Sequence, residues 1–354
     1  MRTASRAAFP VLLVLAATLA ARPSRAEGEP RDPGPAAGAK PASGAAALDV
    51  VRKAFLAKCR YASGDFKMEA DEPRKMGERL FLETLRFPSP VKSSDPERND
   101  VVRAKLFRVE KPEPAAAIFL GGWRHDPLTP TLAARFAETG AHALWIELPF
   151  QGERTPKGGR TGATTLSADL DQNEATFVQI AQDVARAADW LVRERKVDPK
   201  RIALFGTSLG GFAVANLYGM EDRWAGAAVQ LAGADVAQVL FNGNWLTQHI
   251  REALVRKGLD EEAVRERLAS LDPATWARPE RKEGLVLLAA EKDEIVPLAT
   301  VRTLAEAWGG AKLLTMPGAT HISGNEMAAK FPELRDHLAA RLGLRVEMPA
   351  TATK

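Results

Sequence analysis

Cysteine is almost absent from this chain of 354 residues: Cys59 is the only one. A lone cysteine excludes an intramolecular disulfide and a cysteine-rich zinc site. It also stands too far from the N-terminal segment to be an acylated lipoprotein cysteine. No HExxH, CxxC or paired histidine cluster occurs, so the sequence implies no metal and no other cofactor. Histidine is scarce as well, with five residues, which leaves few candidates for a general base. There is no internal repeat. The apolar run "AAFPVLLVLAATLAA" is too short for a comfortable membrane span, and no stop-transfer pattern follows it.

That run has its own explanation. "MRTASR" before it is basic, and "PSRA" after it ends in small residues at Ala26, the layout of a secretory signal peptide over residues 1–26. No Arg-Arg pair suggests a twin-arginine signal. The formal net charge of the whole chain is +4, and Arg2, Arg6, Arg22 and Arg25 all lie in this segment, which holds no acid. The mature chain is therefore close to neutral, with no nucleic-acid footprint and no stable membrane span after cleavage. Export without disulfides is compatible with a bacterial periplasm or with secretion.

Residues 27–46, rich in Pro, Gly and Ala, read as a disordered linker. A helical segment near 47–59 precedes less regular sequence to about 100. "VVRAKLFRVE" (101–110) alternates weakly and suits a strand. Short apolar runs at 115–120, 141–148, 201–206, 224–233, 284–291 and 311–317 then alternate with helical patterns at 128–140, 173–195, 209–219, 298–308 and 323–342. In the segment 173–195, Phe177, Ile180, Val184, Ala188 and Leu191 share one helical face. Apolar strands alternating with helices predict an α/β domain over 47–345, with a mostly parallel sheet covered on both faces and its chemistry at the carboxyl ends of the strands. Residues 237–281 break the alternation as a helical insertion, either extra packing surface or a lid over those strand ends. In it Phe241, Trp245, Leu246, Ile250 and Leu254 fall at helical spacing and are expected to bury one face. Residues 346–354 read as a C-terminal tail.

"GTSLG" at 206–210 fits G-x-S-x-G, with the strand before it and the helix after it that a nucleophile elbow requires. A sharp turn strains the serine backbone, and Gly206 and Gly210 remove Cβ atoms that would collide, so Ser208 stands clear of the sheet. Its hydroxyl needs a base, and the base needs an orienting acid, in the order Ser, Asp/Glu, His. His125, His142 and His249 precede any acid at a later strand end, and His337 lies mid-helix where a surface role is expected. His321, on the loop opening the final helix, is the candidate base. For the acid, Asp293 in "EKDEIVP" leads, because D-x-x-V-P puts it in the turn after a strand. Asp235 is the competitor, and could instead cap the first helix of the insertion. Glu291 and Glu294 are neighbours. For the oxyanion, the expected donors are the backbone N–H groups of Leu209 and of Trp123, with Gly122 as second choice for the latter.

The pieces "IFLGGW", "GTSLGG", "EKDEIVP" and "GATHI", in this order over about residues 100–345, resemble the α/β-hydrolase superfamily. "ELPFQGERTP" (147–156) is similar to the loop after the fourth strand in a poorly characterised branch of esterases and lipases. The usual HG after the third strand is GG here, a departure that bears on the oxyanion geometry. The resemblance implies the α/β-hydrolase fold and hydrolysis of a small-molecule carboxylic ester through an acyl-enzyme with Ser208, Asp293 and His321. The superfamily also holds exopeptidases, amidases, thioesterases and non-catalytic binding proteins, and these alternatives stay open at this point.

Overall fold

The computed structural model describes residues 44–124, 126–242 and 245–345. The expected signal segment, nearly all of the linker and the C-terminal tail lie outside the described residues. The first helix, α1 (Ala45–Cys59), begins after Gly44 and takes in the last two residues assigned to the linker, where a run of alanines, the best helix formers, extends it toward the N-terminus.

Ten strands form one sheet: β1 (Glu69–Ala70), β2 (Arg74–Met76), β3 (Leu80–Pro88), β4 (Val101–Val109), β5 (Ala116–Leu120), β6 (His142–Ile146), β7 (Ile202–Thr207), β8 (Gly226–Gln230), β9 (Leu285–Ala290) and β10 (Lys312–Met316). Their order is β1-β3-β4-β6-β5-β7-β8-β9-β10, with β2 on β3. The strands from β6 to β10 along this path are parallel, whereas β1 to β4 add antiparallel pairs at one end. Every residue of β5, β7, β8 and β9 is buried, which is why each reads as a continuous apolar run.

Between the strands run α2 (Leu128–Ala137), α3 (Leu170–Arg195), α4 (Leu209–Met220), α5 (Val236–Asn242), α6 (Gln248–Arg256), α7 (Glu261–Arg267), α8 (Leu298–Ala307) and α9 (Gly324–Arg341). The sheet has a core on each face. Phe136 of α2 and Phe331 and Leu334 of α9 pack on one side, and Val184 of α3, Val214 of α4 and Leu304 of α8 on the other. The five residues that share a face of α3 are all buried. Asp169 caps that helix by accepting from Gln172 N at 3.0 Å, so it starts three residues before the apolar pattern does. Among the described residues no helix is long and apolar enough to cross a membrane, and no cluster of three candidate metal ligands occurs.

The structure corrects the sequence reading in three places. Residues 60–100 are not irregular, because β3 spans nine residues there. Leu85 and Phe87 face one core and Leu82 the other, while Glu83 is buried between them. Glu83 accepts from Arg108 Nε at 2.6 Å and also pairs with Arg195. Glu83 takes an inward position of the alternation that runs from 83 to 88, and a charge at such a position hides the period. The second correction is Trp245, 60% exposed rather than packed with Ile250 and Leu254. It sits in the turn between α5 and α6, outside any helical register. The third is His337, which is half-buried and bonds the Gly284 carbonyl through Nε2 at 3.1 Å.

The loop after β6 is held by a buried ion pair. Arg154 Nη2 lies 2.9 Å from Asp183 Oδ2 of α3, with the side chains 0% and 1% exposed. The guanidinium also donates to the carbonyls of Asn99 and Glu147, and Ser89 Oγ donates to Asp183 Oδ1 at 2.6 Å. Burial pushes the Asp183 carboxyl up, against the opposing pull of Arg154 and Ser89. Removing one partner of such a pair leaves an uncompensated charge. Arg154→Ala should therefore cost roughly 3–5 kcal/mol, read as a lower urea midpoint, and an unchanged midpoint would contradict the role given to the pair.

His142 in β6 is buried, and desolvation, with help from Arg195 and Arg108, lowers its pKa to about 4. The unfolded chain, with an ordinary imidazole, binds a proton that the folded chain refuses. The stability this contributes is full above about pH 6.5 and is lost as pH falls toward 4. Glu147, raised to about 7 mainly by desolvation, acts in the opposite sense: the folded state holds its proton and loses stability as pH rises from about 4.5 to 7. Comparison of His142→Phe with the parent isolates the first effect. The variant should lose less stability than the parent between pH 7 and pH 5 in urea melts, and parallel curves would argue that His142 titrates normally.

Candidate active site

The chain leaves β5 for β6 on one side, then crosses to β7 on the other, so the carboxyl ends of β5 and β7 flank a topological switch point. Ser208 stands there, between β7 and α4, with φ 53° and ψ −119°. A positive φ in a residue with a side chain is strained. The surrounding backbone holds it: Ser208 N donates to Gln230 O at 2.7 Å, and Gly210 N donates to Gly121 O at 3.0 Å. A Cβ on Gly206 would overlap the Gly210 carbonyl, which is the expected collision across the turn. A Cβ on Gly210 would instead strike the carbonyls of Leu120 and Gly121 at the end of β5. The second glycine thus serves the fit of α4 against the neighbouring strand.

The structure brings Ser208, His321 and Asp293 into one hydrogen-bonded chain. Ser208 Oγ lies 2.9 Å from His321 Nε2, and His321 Nδ1 lies 2.7 Å from Asp293 Oδ2. With its proton on Nδ1, the ring donates to Asp293 and accepts from the serine hydroxyl. Asp293 is buried, and its Oδ1 accepts from Ile295 N at 2.9 Å and Val296 N at 2.8 Å. Both oxygens are therefore committed, and the carboxylate cannot turn. The turns that carry acid and histidine are joined directly. Glu291 Oε2 accepts from Gly318 N at 2.7 Å, and Lys292 N donates to Ala319 O at 2.8 Å. Ser323 Oγ accepts from Thr320 N at 2.9 Å and closes the loop around His321.

Asp235 does not join them. Its Oδ1 accepts from Gln238 N at 3.0 Å, and the carboxylate pairs with Arg265 Nε at 3.1 Å. It caps α5 and ties it to α7, the capping role foreseen for it. His142 lies inside the sheet, and His125 falls outside the described residues.

Of the expected oxyanion donors, Leu209 and Trp123 line the same pocket as Ser208. The amide of Gly122 is already given to Asp126 Oδ2 at 2.7 Å, which removes the second choice. Asp126 was not singled out from the sequence. It also accepts from Thr129 Oγ1 at 2.6 Å and from Leu128 N and Thr129 N, so it caps α2 and braces the loop after β5. A Cβ on Gly121 would stand only 3.2 Å from Asp126 Oδ2, a reason for glycine where the related pattern has histidine. The legible signal was the Asp-Pro step just before a helix. His249 of α6 was likewise passed over, and it stacks on Trp123 with centroids 6.0 Å apart.

The pocket beside Ser208 encloses about 50 Å³. Its walls are Phe177 of α3, Leu209 and Phe212 of α4, Val296 of the acid turn, and Val239 and Leu240 of α5, with Leu246, Leu268 and Leu271 also from the insertion. No carboxylate is among the described residues that line it.

The sequence matches the prolyl oligopeptidase family over residues 166–340. Among curated proteins no sequence matches it. Solved structures similar to it include acetyl xylan esterase 1 from a Thermoanaerobacterium species, at 19% identity and TM-score 0.58, over 82% of this chain and 93% of that one. An acetyl xylan esterase from a Paenibacillus species is similar at 16% identity and TM-score 0.60, over the same shares of the two chains. A puromycin-hydrolyzing peptidase of Mycobacterium tuberculosis is similar at 16% identity and TM-score 0.54, over 75% of this chain but 46% of that one. A serine on this strand-to-helix turn, in a sheet wound in this order and similar to those of esterases and peptidases alike, gives the chain the α/β-hydrolase fold.

Proposed function

We propose that the chain is a serine hydrolase that cleaves a small carboxylic ester through an acyl-enzyme, with Ser208 as nucleophile, His321 as base and Asp293 as orienting acid. The observation that carries this reading is the continuous hydrogen-bonded chain Ser208–His321–Asp293, with separations of 2.9 Å and 2.7 Å. Ser208 Oγ attacks the ester carbonyl carbon as its proton passes to His321 Nε2, and the carbonyl oxygen takes the negative charge. The N–H groups of Leu209 and Trp123 receive that charge at the start of α4. Asp293 stabilises the imidazolium. Collapse of the intermediate breaks the bond to the alcohol oxygen, which takes the proton from His321, and water repeats the cycle on the acyl-enzyme.

Two observations favour an ester over a peptide. The similarity spans nearly the whole of the acetyl xylan esterases but less than half of the puromycin-hydrolyzing peptidase. Among the described residues that line it, the pocket also offers no carboxylate to receive a free amino terminus. The insertion at 237–281 supplies much of the apolar wall and acts as the lid. Export through a cleaved leader at residues 1–26 belongs to the same proposal and rests on the basic, apolar and small-residue layout of that segment.

Ser208→Ala should lower ester turnover by several orders of magnitude and abolish fluorophosphonate labelling. Asp293→Asn should leave the fold intact and cost on the order of ten-thousandfold in rate, as in serine proteases when the histidine tautomer is lost. Asp235→Asn should instead lower the melting temperature and spare turnover. Full activity in Ser208→Ala, or the opposite division between the two aspartates, would refute the assignment.

The narrow apolar pocket predicts a preference for short acyl chains. Leu246→Ala, which widens it, should raise the hexanoyl-to-acetyl ratio of kcat/KM by roughly tenfold, the scale of one or two methylenes in such a pocket. An equal fall on both esters would show that Leu246 serves folding alone.

A further inference from the structure

Two arginines and a histidine gather around Trp123: Arg124 and His249 lie against its ring, and Arg160 acts electrostatically on His249. Trp123 lines the pocket together with Ser208. The guanidinium of Arg124 lies 4.5 Å from the Trp123 ring centroid, and His249 stacks on that ring at 12° between planes. Trp123 Nε1 donates to Gly162 O at 2.7 Å, which ties the loop carrying Arg160 to the same place. The pKa of His249 is lowered by its desolvation first and then by Arg124 and Arg160, so both guanidinium groups lie within electrostatic reach of its ring. Glu252, one turn along α6, is the opposing charge, and it accepts from Gln248 Nε2 at 2.8 Å.

Arg124 and Arg160 are exposed, and neither forms an ion pair with a described residue. Arginines elsewhere on this surface do: Arg265 meets Asp235, Arg278 meets Asp222, and Arg223 meets Asp189. The chain beyond its first 26 residues is close to neutral, so general basicity does not explain the cluster. Like charges gathered without partners repel one another, whereas at the mouth of a cleft they attract and orient an anion.

We infer that Arg124, Arg160 and His249 form an anion-recognising rim around Trp123, and that the ester cleaved at Ser208 carries a carboxylate on its alcohol half. The inference rests on the esterase reading. The acyl half is assigned to the apolar pocket, whose described lining residues include no cation. The alcohol leaves toward solvent, across the rim. A guanidinium suits a carboxylate because its donors match the two oxygens.

The test compares para-acetoxybenzoate with para-acetoxybenzamide, a neutral ester of the same shape, each rate divided by that of its alkaline hydrolysis. Monophenyl succinate places the carboxylate on the acyl half instead. At low ionic strength the benzoate should be favoured over the benzamide in kcat/KM by about fivefold to tenfold, and added salt should erase the preference. The exposed double substitution Arg124→Gln with Arg160→Gln should reduce the ratio to near one. Equal cleavage of benzoate and benzamide, a ratio the double variant leaves unchanged, or a preference for the succinate would each overturn the inference while leaving the esterase reading in place. Cleavage of none of the three esters would overturn both.

Discussion

Gly210 N donates to Gly121 O at 3.0 Å, and at this point the first turn of α4 touches the end of β5 with no room for a side chain. The rest of the site follows from this contact. It draws α4 against the sheet at the switch point, forces the serine into a positive φ, and brings Ser208, Leu209 and Trp123 to the wall of one pocket. Strain at a single residue is sustained because the strands on either side are completely buried and cannot relax.

The other half of the site is built by loops rather than by buried strands, and it is made rigid differently. β9 and β10 are adjacent and parallel, so the turns that leave them emerge side by side. Backbone and Glu291 bonds then join the two turns before either reaches its functional residue. Asp293 is further held by two amides of its own turn. The distance from acid to imidazole is thus fixed independently of Ser208. The bond from His321 to the serine spans the two halves, and that is the bond which must form and break in the proposed reaction.

How much of this was legible depended on the physics of each element. The strands β5, β7, β8 and β9 read clearly because burial on both faces demands unbroken apolar sequence. Ser208 and Asp293 read clearly because their turns need particular residues around them, and His321 because it opens a helix after the last strand. β3 was hidden by Glu83, whose burial is tolerated only because Arg108 and Arg195 meet it from β4 and α3. Trp245 was misplaced because a helical spacing in sequence continues across a turn that breaks the helix in space. Asp126 and His249 were missed because their partners, Gly122 and Trp123, are assigned only once the loop after β5 is folded. Long-range partnership of this kind leaves no period in the sequence.

The loop after β6 divides into buried anchors and an exposed segment. Its core is internal: Arg154 is fully buried against Asp183 and the Asn99 carbonyl, and Thr165 Oγ1 donates to Pro149 O at 2.7 Å. Phe150 N donates to Asn99 Oδ1 at 2.9 Å, which fastens the start of the loop to the end of the antiparallel hairpin. Between these anchors, residues 156–162 are mostly exposed and include Lys157 and Arg160. Their side chains can change without disturbing the buried pair, and Gly162 at the end of the segment accepts from Trp123 through its backbone carbonyl. The same division holds for the insertion, where Asp235 and Arg265 join the helices while Leu246 lines the pocket and His249 stacks on Trp123. The groups proposed to react sit on the sheet and its joined turns, and the groups proposed to choose the substrate sit on two anchored segments.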